Sequence, residues 1–453
     1  MDSQGRRDLI IPTLVFVIVT GVCVQRGLHK GGAFEEGRTN DFWAYHVAAR
    51  AVWERDLTPS YHEPTRPNLY PPTFAIMTSF LGLLPYRAAV VVWALLGGVA
   101  LVLIFRGLES ILAVPLPPLA KTAGLLLAFR PLESDFSNGN ANLIVLGLVL
   151  GAIALARRGR EVAGGVTLAA AILSKVSPVL ILPWLIYRGR WRMLAGVVAG
   201  AVILGAAVPV AVLGPHRALD AWSAWHEVTL EHVTPTSESY AEMPASGYEP
   251  GQSLRAFLHR MLRHSDATAH DGEVRSVNLL DLPKGAVDAM YLAAALLILG
   301  GALIACRRRA PGRRLGWRPE EVAAACAAMV LLAPLSRKAH FVALWPAAVL
   351  GFEAWRRSEG STRRAVGAAL WFLALLLVVG SSPGVLGREA STLLLAYCPF
   401  GWAAACLLVL VVVPSFFPRG DITVAEIGRQ GPSCPVLPPS NPILPPSCPG
   451  APR

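Results

Sequence analysis

Residues 162–187 read VAGGVTLAAAILSKVSPVLILPWLIY, an apolar stretch with a single charged side chain, that of Lys175. A bilayer core about 30 Å thick is crossed by about 20 apolar helical residues, since unpaired backbone amides are too costly in lipid. Pro178 disfavours helical backbone at the residue before it, so we expect a bend near Ser174–Pro178. The stretch therefore predicts a hairpin of two short helices inside a membrane.

Further apolar runs surround this hairpin along the chain. They lie at 9–24, 69–86, 88–105, 115–130, 141–156, 194–213, 286–305, 321–335, 341–355, 365–380 and 393–415. Charged residues make up only 16% of the chain and the mean hydropathy is +0.48, whereas soluble domains have about 25% charged residues. The composition excludes a soluble globular protein. It predicts an all-α polytopic membrane protein, a bundle of about 10–13 crossings or half-crossings.

The arginines predict the orientation of this bundle. Sixteen of them lie in four short segments, 157–160, 188–192, 307–318 and 356–364. Lys and Arg accumulate in short cytoplasmic loops, so the net charge of +11 indicates membrane topology rather than a nucleic-acid partner. Segments 25–68, 131–140, 214–285, 336–340 and 381–392 then lie outside. This scheme requires that one early run, expected to be 115–130, does not cross fully.

The chain divides into a membrane domain and a tail. Residues 1–415 form the predicted transmembrane domain, whose first apolar run is expected to stay as a helix rather than be cleaved as a signal peptide. It has a first outer loop at 25–68 and a large outer loop at 214–285, with a short amphipathic helix at 256–263. Residues 416–453 are Pro-rich, and we expect a disordered cytoplasmic tail.

The first outer loop contains the candidate general base. Asp41 precedes a helix predicted over 42–54, because Asp41, Tyr45, Ala48 and Val52 recur at helical spacing. This helix is expected to lie on the membrane surface. The Asp41 carboxylate either caps the free amides of the helix or accepts a proton from a substrate hydroxyl.

Other polar groups lie at helix ends or within apolar runs. Lys175 is costly in the membrane, by about 2.5–3.5 kcal/mol at its centre, and it either binds a phosphate or snorkels toward lipid headgroups. The turn at 334–340 places two cations and a histidine outside, against the topology trend, which a phosphate site would explain. Two further sets of polar residues have two interpretations each. The asparagines Asn138, Asn140 and Asn142 either cap a helix or contact a sugar. The tyrosines Tyr61 and Tyr70 either belong to an aromatic belt or contact a sugar.

These motifs, in this order, resemble the GT-C glycosyltransferases, and most closely family 87, the polyprenyl-phosphate-mannose-dependent mannosyltransferases. The resemblance is carried by Asp41 with Tyr45, by Tyr70-Pro71-Pro72, by Gly139-Asn140-Ala141-Asn142, by Lys175 with Pro178, by Gly251-Gln252-Ser253-Leu254, and by Pro334, Ser336 and His340. The chain departs from the family pattern at Asn140, Gly251 and Arg337, where the family has Gln, Asn and Trp.

The resemblance implies a GT-C-like bundle in the plasma membrane that transfers a hexose, with mannose expected, by inverting single displacement at its outer face. The implied donor is a polyprenyl-phosphate sugar, and the acceptor is a glycolipid or a cell-envelope glycan. Asp41 is the implied base. Lys175, Arg337, Lys338 and His340 are the implied phosphate ligands, and Tyr45, Tyr61, Tyr70, Asn138, Asn140, Asn142, Gln252 and Ser336 the implied sugar or acceptor contacts.

No cofactor is required by this scheme, and a divalent metal is left open. The nearest carboxylate pair, Glu133 with Asp135, is a weak ligand set. The alternative function is a lipid or glycan transporter without catalysis. Such a transporter is expected to contain inverted repeats with matched broken helices, and the sequence shows no convincing repeat.

Overall fold

The computed structural model describes residues 3–34, 40–64, 66–112, 116–232, 251–264, 268–270, 273–307, 318–358 and 360–413. This part of the chain is almost entirely helical. The helices, in chain order, are α1 Ser3–Lys30, α2 Phe42–Trp53, α3 Thr58–Tyr61, α4 Pro72–Met77, α5 Tyr86–Leu112, α6 Pro118–Asn138, α7 Asn142–Arg157, α8 Glu161–Ser174, α9 Leu182–Tyr187, α10 Trp191–Val202, α11 Val208–Leu213, α12 Pro215–His232, α13 Leu254–Leu262, α14 Lys284–Arg307, α15 Pro319–Leu331, α16 Trp345–Arg356, α17 Ser361–Gly380, α18 Pro383–Leu386, α19 Arg388–Ala396 and α20 Pro399–Val412.

Short segments of other geometry connect some of these helices. The 3-10 turns are Ser79–Leu83, Ser177–Ile181 and Lys338–Leu344, and a π turn lies at Ile203–Ala207. Two three-residue strands, β1 Thr268–His270 and β2 Glu273–Arg275, pair antiparallel with Thr268 opposite Arg275.

The predicted all-α polytopic class is confirmed. In the described part of the chain, four helices are long and apolar enough to cross a membrane: Tyr86–Leu112, Trp191–Leu213, Lys284–Cys306 and Ser361–Gly380. The number rises to six if two bent pairs each count as one span, namely α6 with α7, bent by 119°, and α19 with α20, bent by 55°. The prediction of about 10–13 crossings or half-crossings is higher, because it also counted short apolar helices such as α8.

The hairpin predicted at 162–187 is present. α8 ends at Ser174, and Lys175 is extended with φ −157° and ψ 127°. A 3-10 turn that contains Pro178 follows, and the chain continues into α9. The missing amide of proline and its clash with the preceding turn explain why the helix ends here. Lys175 therefore lies at a break between helices rather than on a helix face.

The expectation that the run at 115–130 does not cross fully stays a prediction. Residues 118–130 of this run lie in α6, which passes as a membrane span only when it is counted together with α7 across the 119° bend. The run at 69–86 also departs from a single span, because it contains α4, with six residues, and a 3-10 turn of five. At about 1.5 Å per α-helical residue and about 2.0 Å per 3-10 residue, these eleven residues extend about 19 Å, less than a bilayer core of about 30 Å.

The large loop at 214–285 contains more structure than the sequence predicted. The short amphipathic helix is present as α13. The 18-residue α12 was not predicted, although Ala218, Ala221, Ala224 and Val228 repeat at helical spacing along its buried side. This side packs in one apolar cluster with residues of α2 and α3. α12 therefore supports the segment that contains Asp41. The predicted tail at 416–453 lies outside the described residues.

The crossing of α8 with α10 depends on two glycines. A Cβ atom on Gly165 would lie 2.1 Å from the Met193 carbonyl oxygen, and one on Gly196 would lie 2.3 Å from the Val162 carbonyl oxygen. Both contacts are with backbone, which cannot move aside without separating the helices. Small residues permit this close approach of membrane helices.

We expect Gly165→Leu to prevent recovery of folded protein, because overpacking costs about 1–3 kcal/mol or more and backbone atoms leave no room to adapt. The measurement is the monodisperse fraction on size-exclusion chromatography in detergent. Gly151→Leu on α7 is the matched control, since nothing lies within 4 Å of its Cβ position. Equal recovery of the two variants would contradict the argument.

Candidate active site

Asp41 lies immediately before α2 and is held from two sides. Arg66 donates to its Oδ1 at 2.5 Å, and Asn140 Nδ2 lies 3.4 Å from its Oδ2. The Asp41 side chain is 42% exposed. It makes no capping hydrogen bond, and Asn40 Oδ1 accepts from the Phe42 amide instead. The helix-cap interpretation of Asp41 is therefore wrong, and the carboxylate is available to a ligand.

Gly139 turns the chain between α6 and α7 so that the asparagines meet α2. It has φ +66°, a conformation that disfavours side chains, and a Cβ atom here would lie 2.7 Å from Phe42 Cβ. The Trp93 indole stabilises the turn by donating to the Gly139 carbonyl at 3.0 Å. The Asp41 amide also donates to the Asn138 carbonyl at 2.9 Å. These contacts hold α2 against the turn.

The three predicted asparagines have three different partners. Asn138 Nδ2 donates to Ser134 Oγ at 3.3 Å, and Asn140 faces Asp41. Asn142 Nδ2 donates to Asp135 Oδ1 at 2.8 Å, and Asn142 Oδ1 accepts from Lys175 Nζ at 2.7 Å. None of them caps α7 through its side chain, because Ala141 occupies the cap position. Only Asn140 and Asn142 are in contact with charged candidates.

The Lys175 ammonium is held by protein groups. Besides its bond to Asn142, it lies over the Tyr70 ring, 5.6 Å from the centroid, where the negative face of the ring favours a cation. The snorkelling interpretation does not describe this conformation. Lys175 also interacts electrostatically with Asp41, Asp135 and Arg337. Asp41 and Lys175 are therefore near enough for their charges to interact, and their roles as base and phosphate ligand stay predictions.

Lys175, Ser336 and His340 line one small cavity, together with Asn142 and Ser177. The Arg337 amide donates to His340 Nδ1 at 3.2 Å. An amide only donates, so Nδ1 has no proton and the neutral ring carries its hydrogen on Nε2. His340 therefore offers a neutral donor to a ligand.

The two cations beside His340 act on different groups. Arg337 interacts electrostatically with Lys175 and His340 and adds positive potential to the cavity. Lys338 interacts with Glu133, which is paired with Arg26 at 2.8 Å. Of the two, Arg337 acts on the residues that line the cavity, and the phosphate-binding role of both stays a prediction.

The tyrosines form a connected, buried group. Tyr45 Oη donates to Tyr70 Oη at 2.8 Å, and Tyr61 Oη donates to the Tyr70 carbonyl at 3.3 Å. Burial raises the pKa of all three hydroxyls, so they stay protonated at neutral pH. Tyr45 and Tyr61 are 2% and 1% exposed. Tyr70 is half-buried and lies against Lys175, so it is the member best placed for substrate contact.

Gln252 and Ser336 connect separate parts of the chain. The backbone amide of Gln252 donates to the Ser336 carbonyl at 2.6 Å, and the side-chain Nε2 of Gln252 donates to the Leu395 carbonyl at 2.8 Å. Ser336 Oγ donates to the Val330 carbonyl at 2.7 Å. Both residues are fully buried. These contacts hold the cavity wall together, and the predicted sugar contact of each residue stays a prediction.

Sequence reasoning missed Arg66 and the role of Asp135. Arg66 follows a polar stretch and has no distinguishing spacing. Asp135 was considered only with Glu133, yet the structure gives them different partners, Asn142 and Arg26. Within the described residues, no three His, Cys, Asp or Glu side chains are grouped as metal ligands. The expectation that no cofactor is required stays a prediction.

Residues 68–335, more than half of the chain, match the family model of glycosyltransferase family 87. The chain belongs to glycosyltransferase family 87. The resemblance proposed from the motifs is thus confirmed, and the protein is a membrane glycosyltransferase. A search of the curated proteins finds no match.

The matched region of family 87 includes Tyr70, the asparagine turn, Lys175 and Gln252. Asp41, Arg66 and the 336–340 segment lie outside it. Their assignment to the site therefore depends on the structure, which joins them to matched residues through the Asn140–Asp41 contact and through the cavity shared by Lys175 and His340.

Proposed function

We propose that this glycosyltransferase moves a hexose, with mannose the expected sugar, from a polyprenyl-phosphate donor to a lipid or glycan acceptor. The observation that supports this best is that the half-exposed carboxylate of Asp41 interacts electrostatically with Lys175, which lines the cavity. A base for an incoming hydroxyl and positive charge for a departing phosphate are the two groups that such a transfer needs.

In this proposal the donor phosphate occupies the Lys175 cavity. The acceptor oxygen attacks the anomeric carbon from the face opposite the phosphate, and its proton passes to Asp41. The bond from the anomeric carbon to the phosphate oxygen breaks, and its electron pair leaves with polyprenyl phosphate. Lys175, Arg337 and the Nε2–H of His340 stabilise that developing charge. A single displacement inverts the anomeric configuration.

The site is proposed to face the outer side of the plasma membrane, where a polyprenyl-phosphate sugar and envelope acceptors meet. The arginine-rich segments support this orientation, since the segments that hold Asp41, the asparagine turn and His340 lie on the opposite side in the predicted topology.

The test uses purified protein in detergent, synthetic polyprenyl-phosphate mannose with a ¹³C-labelled hexose, and lipid extract from a strain that lacks the gene. Mass spectrometry is expected to find the labelled hexose in a new glycolipid. Movement of the labelled donor across proteoliposomes, with no hexose transfer, would instead support the transporter alternative.

Arg66 is expected to contribute by orienting Asp41. Arg66→Gln removes the ion pair at Oδ1, so the carboxylate is held only by the longer Asn140 contact, and we expect kcat to fall roughly 10–100-fold through misplacement of the base. The measurement is the initial rate at saturating donor.

Arg66→Lys is expected to recover part of this loss, since it keeps the charge without the planar fork. Arg50→Gln is the matched control, because Arg50 is an exposed arginine on α2. A rate for Arg66→Gln equal to that of the control would refute the orienting role.

A further inference from the structure

Asp135 is a buried carboxylate that the proposed transfer does not use. It lies in the last turn of α6 and is 2% exposed. Besides accepting from the Asn142 side chain, it interacts with the backbone amides of Asn142 and Leu143 across the bend, at the start of α7. A buried carboxylate is costly unless it is hydrogen-bonded and opposed by a positive charge. The opposing charge is that of Lys175, with which Asp135 interacts electrostatically.

The Asn142 amide connects these two charges with a defined polarity. Its Nδ2 donates to Asp135 at 2.8 Å, so its Oδ1 is directed at Lys175 Nζ, 2.7 Å away. The opposite amide orientation would place the NH₂ group against the ammonium and the oxygen against the carboxylate, and both contacts would be repulsive. Asp135 therefore determines which atom of Asn142 meets Lys175.

The Asn142 side-chain amide is a spacer between Asp135 and Lys175, and this arrangement has a consequence for ligand binding. A lysine ammonium has three donors, and Asn142 takes one of them. A direct Asp–Lys pair would place a carboxylate where an anionic ligand must bind, whereas the spacer keeps the carboxylate behind Asn142. Lys175 is thus anchored and keeps donors for the cavity shared with Ser336 and His340.

We propose that Asp135 is the positioning residue of Lys175, acting through Asn142 to hold the ammonium at the cavity as a ligand for an anionic phosphate. The identity of the anion rests on the proposed function, but the coupling of Asp135 with Lys175 does not. The other groups that face Lys175 are the Asp41 carboxylate, the Arg337 guanidinium, the His340 ring and the face of Tyr70.

The first test needs no substrate and is a double-mutant cycle with Asp135→Asn and Lys175→Met. The midpoint of thermal unfolding is measured on purified protein in detergent. Lys175→Met leaves the buried Asp135 unopposed, and Asp135→Asn removes the buried counter-charge of Lys175, so each variant is expected to unfold at a lower temperature than the wild type. The double variant removes both charges and is expected to unfold at or above the midpoint of Lys175→Met.

Additive losses in this cycle would overturn the proposal, because they would mean that Asp135 serves only to cap α7. If Asp135→Asn is not recovered as folded protein, recovery of the double variant supports the coupling and failure of both overturns it. Glu133→Gln is the matched control, since this neighbouring carboxylate pairs with Arg26. It is expected to show no coupling with Lys175→Met.

The second test measures transfer from polyprenyl-phosphate mannose. Asp135→Asn and Asn142→Leu are each expected to raise the donor KM about tenfold, within the range of couplings in one hydrogen-bond network. Neither substitution is expected to raise the donor KM further when it is combined with Lys175→Met. An unchanged donor KM in both single variants would overturn the positioning role, whereas absence of transfer by the wild type would refute the proposed function and leave the unfolding cycle decisive.

Discussion

Asp41→Asn is expected to lower the rate of hexose transfer about 10²–10⁴-fold, the usual contribution of a positioned base. The amide has nearly the same shape as the carboxylate but accepts no proton from a hydroxyl at neutral pH. The backbone bonds of residue 41 to the asparagine turn do not involve the side chain, so the variant is expected to fold. The measurement is the initial rate of ¹³C-hexose incorporation at saturating donor.

Asp56→Asn provides the matched control for this experiment. Asp56 belongs to the same 25–68 segment, and its Oδ1 accepts from the Thr58 amide at 3.1 Å, so its role is local. We expect its rate to stay close to that of the wild type. Turnover of Asp41→Asn near the wild-type value, with protein of normal thermal stability, would refute the assignment of Asp41 as base.

Lys175→Met is expected to be the second large loss. It removes the positive charge from the cavity and keeps most of the apolar volume of the side chain. Loss of one electrostatic donor to a developing anion costs about 2.7–4 kcal/mol, or roughly 10²–10³-fold in kcat. The donor KM is also expected to rise, because the same ammonium meets the phosphate before reaction. Both values follow from initial rates over a range of donor concentrations.

Lys121→Met is the control for removal of a lysine from an apolar helix. Lys121 lies on α6 and pairs with Glu109 at 2.7 Å, away from the residues that line the cavity. We expect its kinetic constants to match the wild type. If Lys175→Met retained both the wild-type kcat and the wild-type donor KM, the cavity would not be the phosphate site.

Lys175 could be identified from the sequence because the free-energy cost of a charge in the membrane is evident from the apolar residues around it. A single charge among apolar residues opposes insertion into a membrane, and such a charge persists where other groups satisfy it. Pro178 marked the break in the same way, through its own backbone chemistry. Asp41 was found from its neighbouring helix pattern, but the choice between cap and base required its side-chain partners.

Asp135 shows why other parts of the site could not be predicted. It is two residues from Glu133, and residues at that spacing do not face each other on a helix. The apparent carboxylate pair is therefore split, with Glu133 toward Arg26 and Asp135 toward Asn142. Arg66 is similar, because nothing in its own surroundings indicates a partner 25 positions earlier in the chain.

The sequence by itself determined the all-helical membrane class, the break at Lys175 and the short helix after Asp41. Each depends on forces that act within a few residues, namely the hydration cost of backbone and charge and the missing amide of proline. Only the tertiary structure decided which carboxylate opposes Lys175 and which arginine holds Asp41. These outcomes depend on contacts between segments far apart in the chain, where Gly139 and the helix crossings set the distances between charged groups.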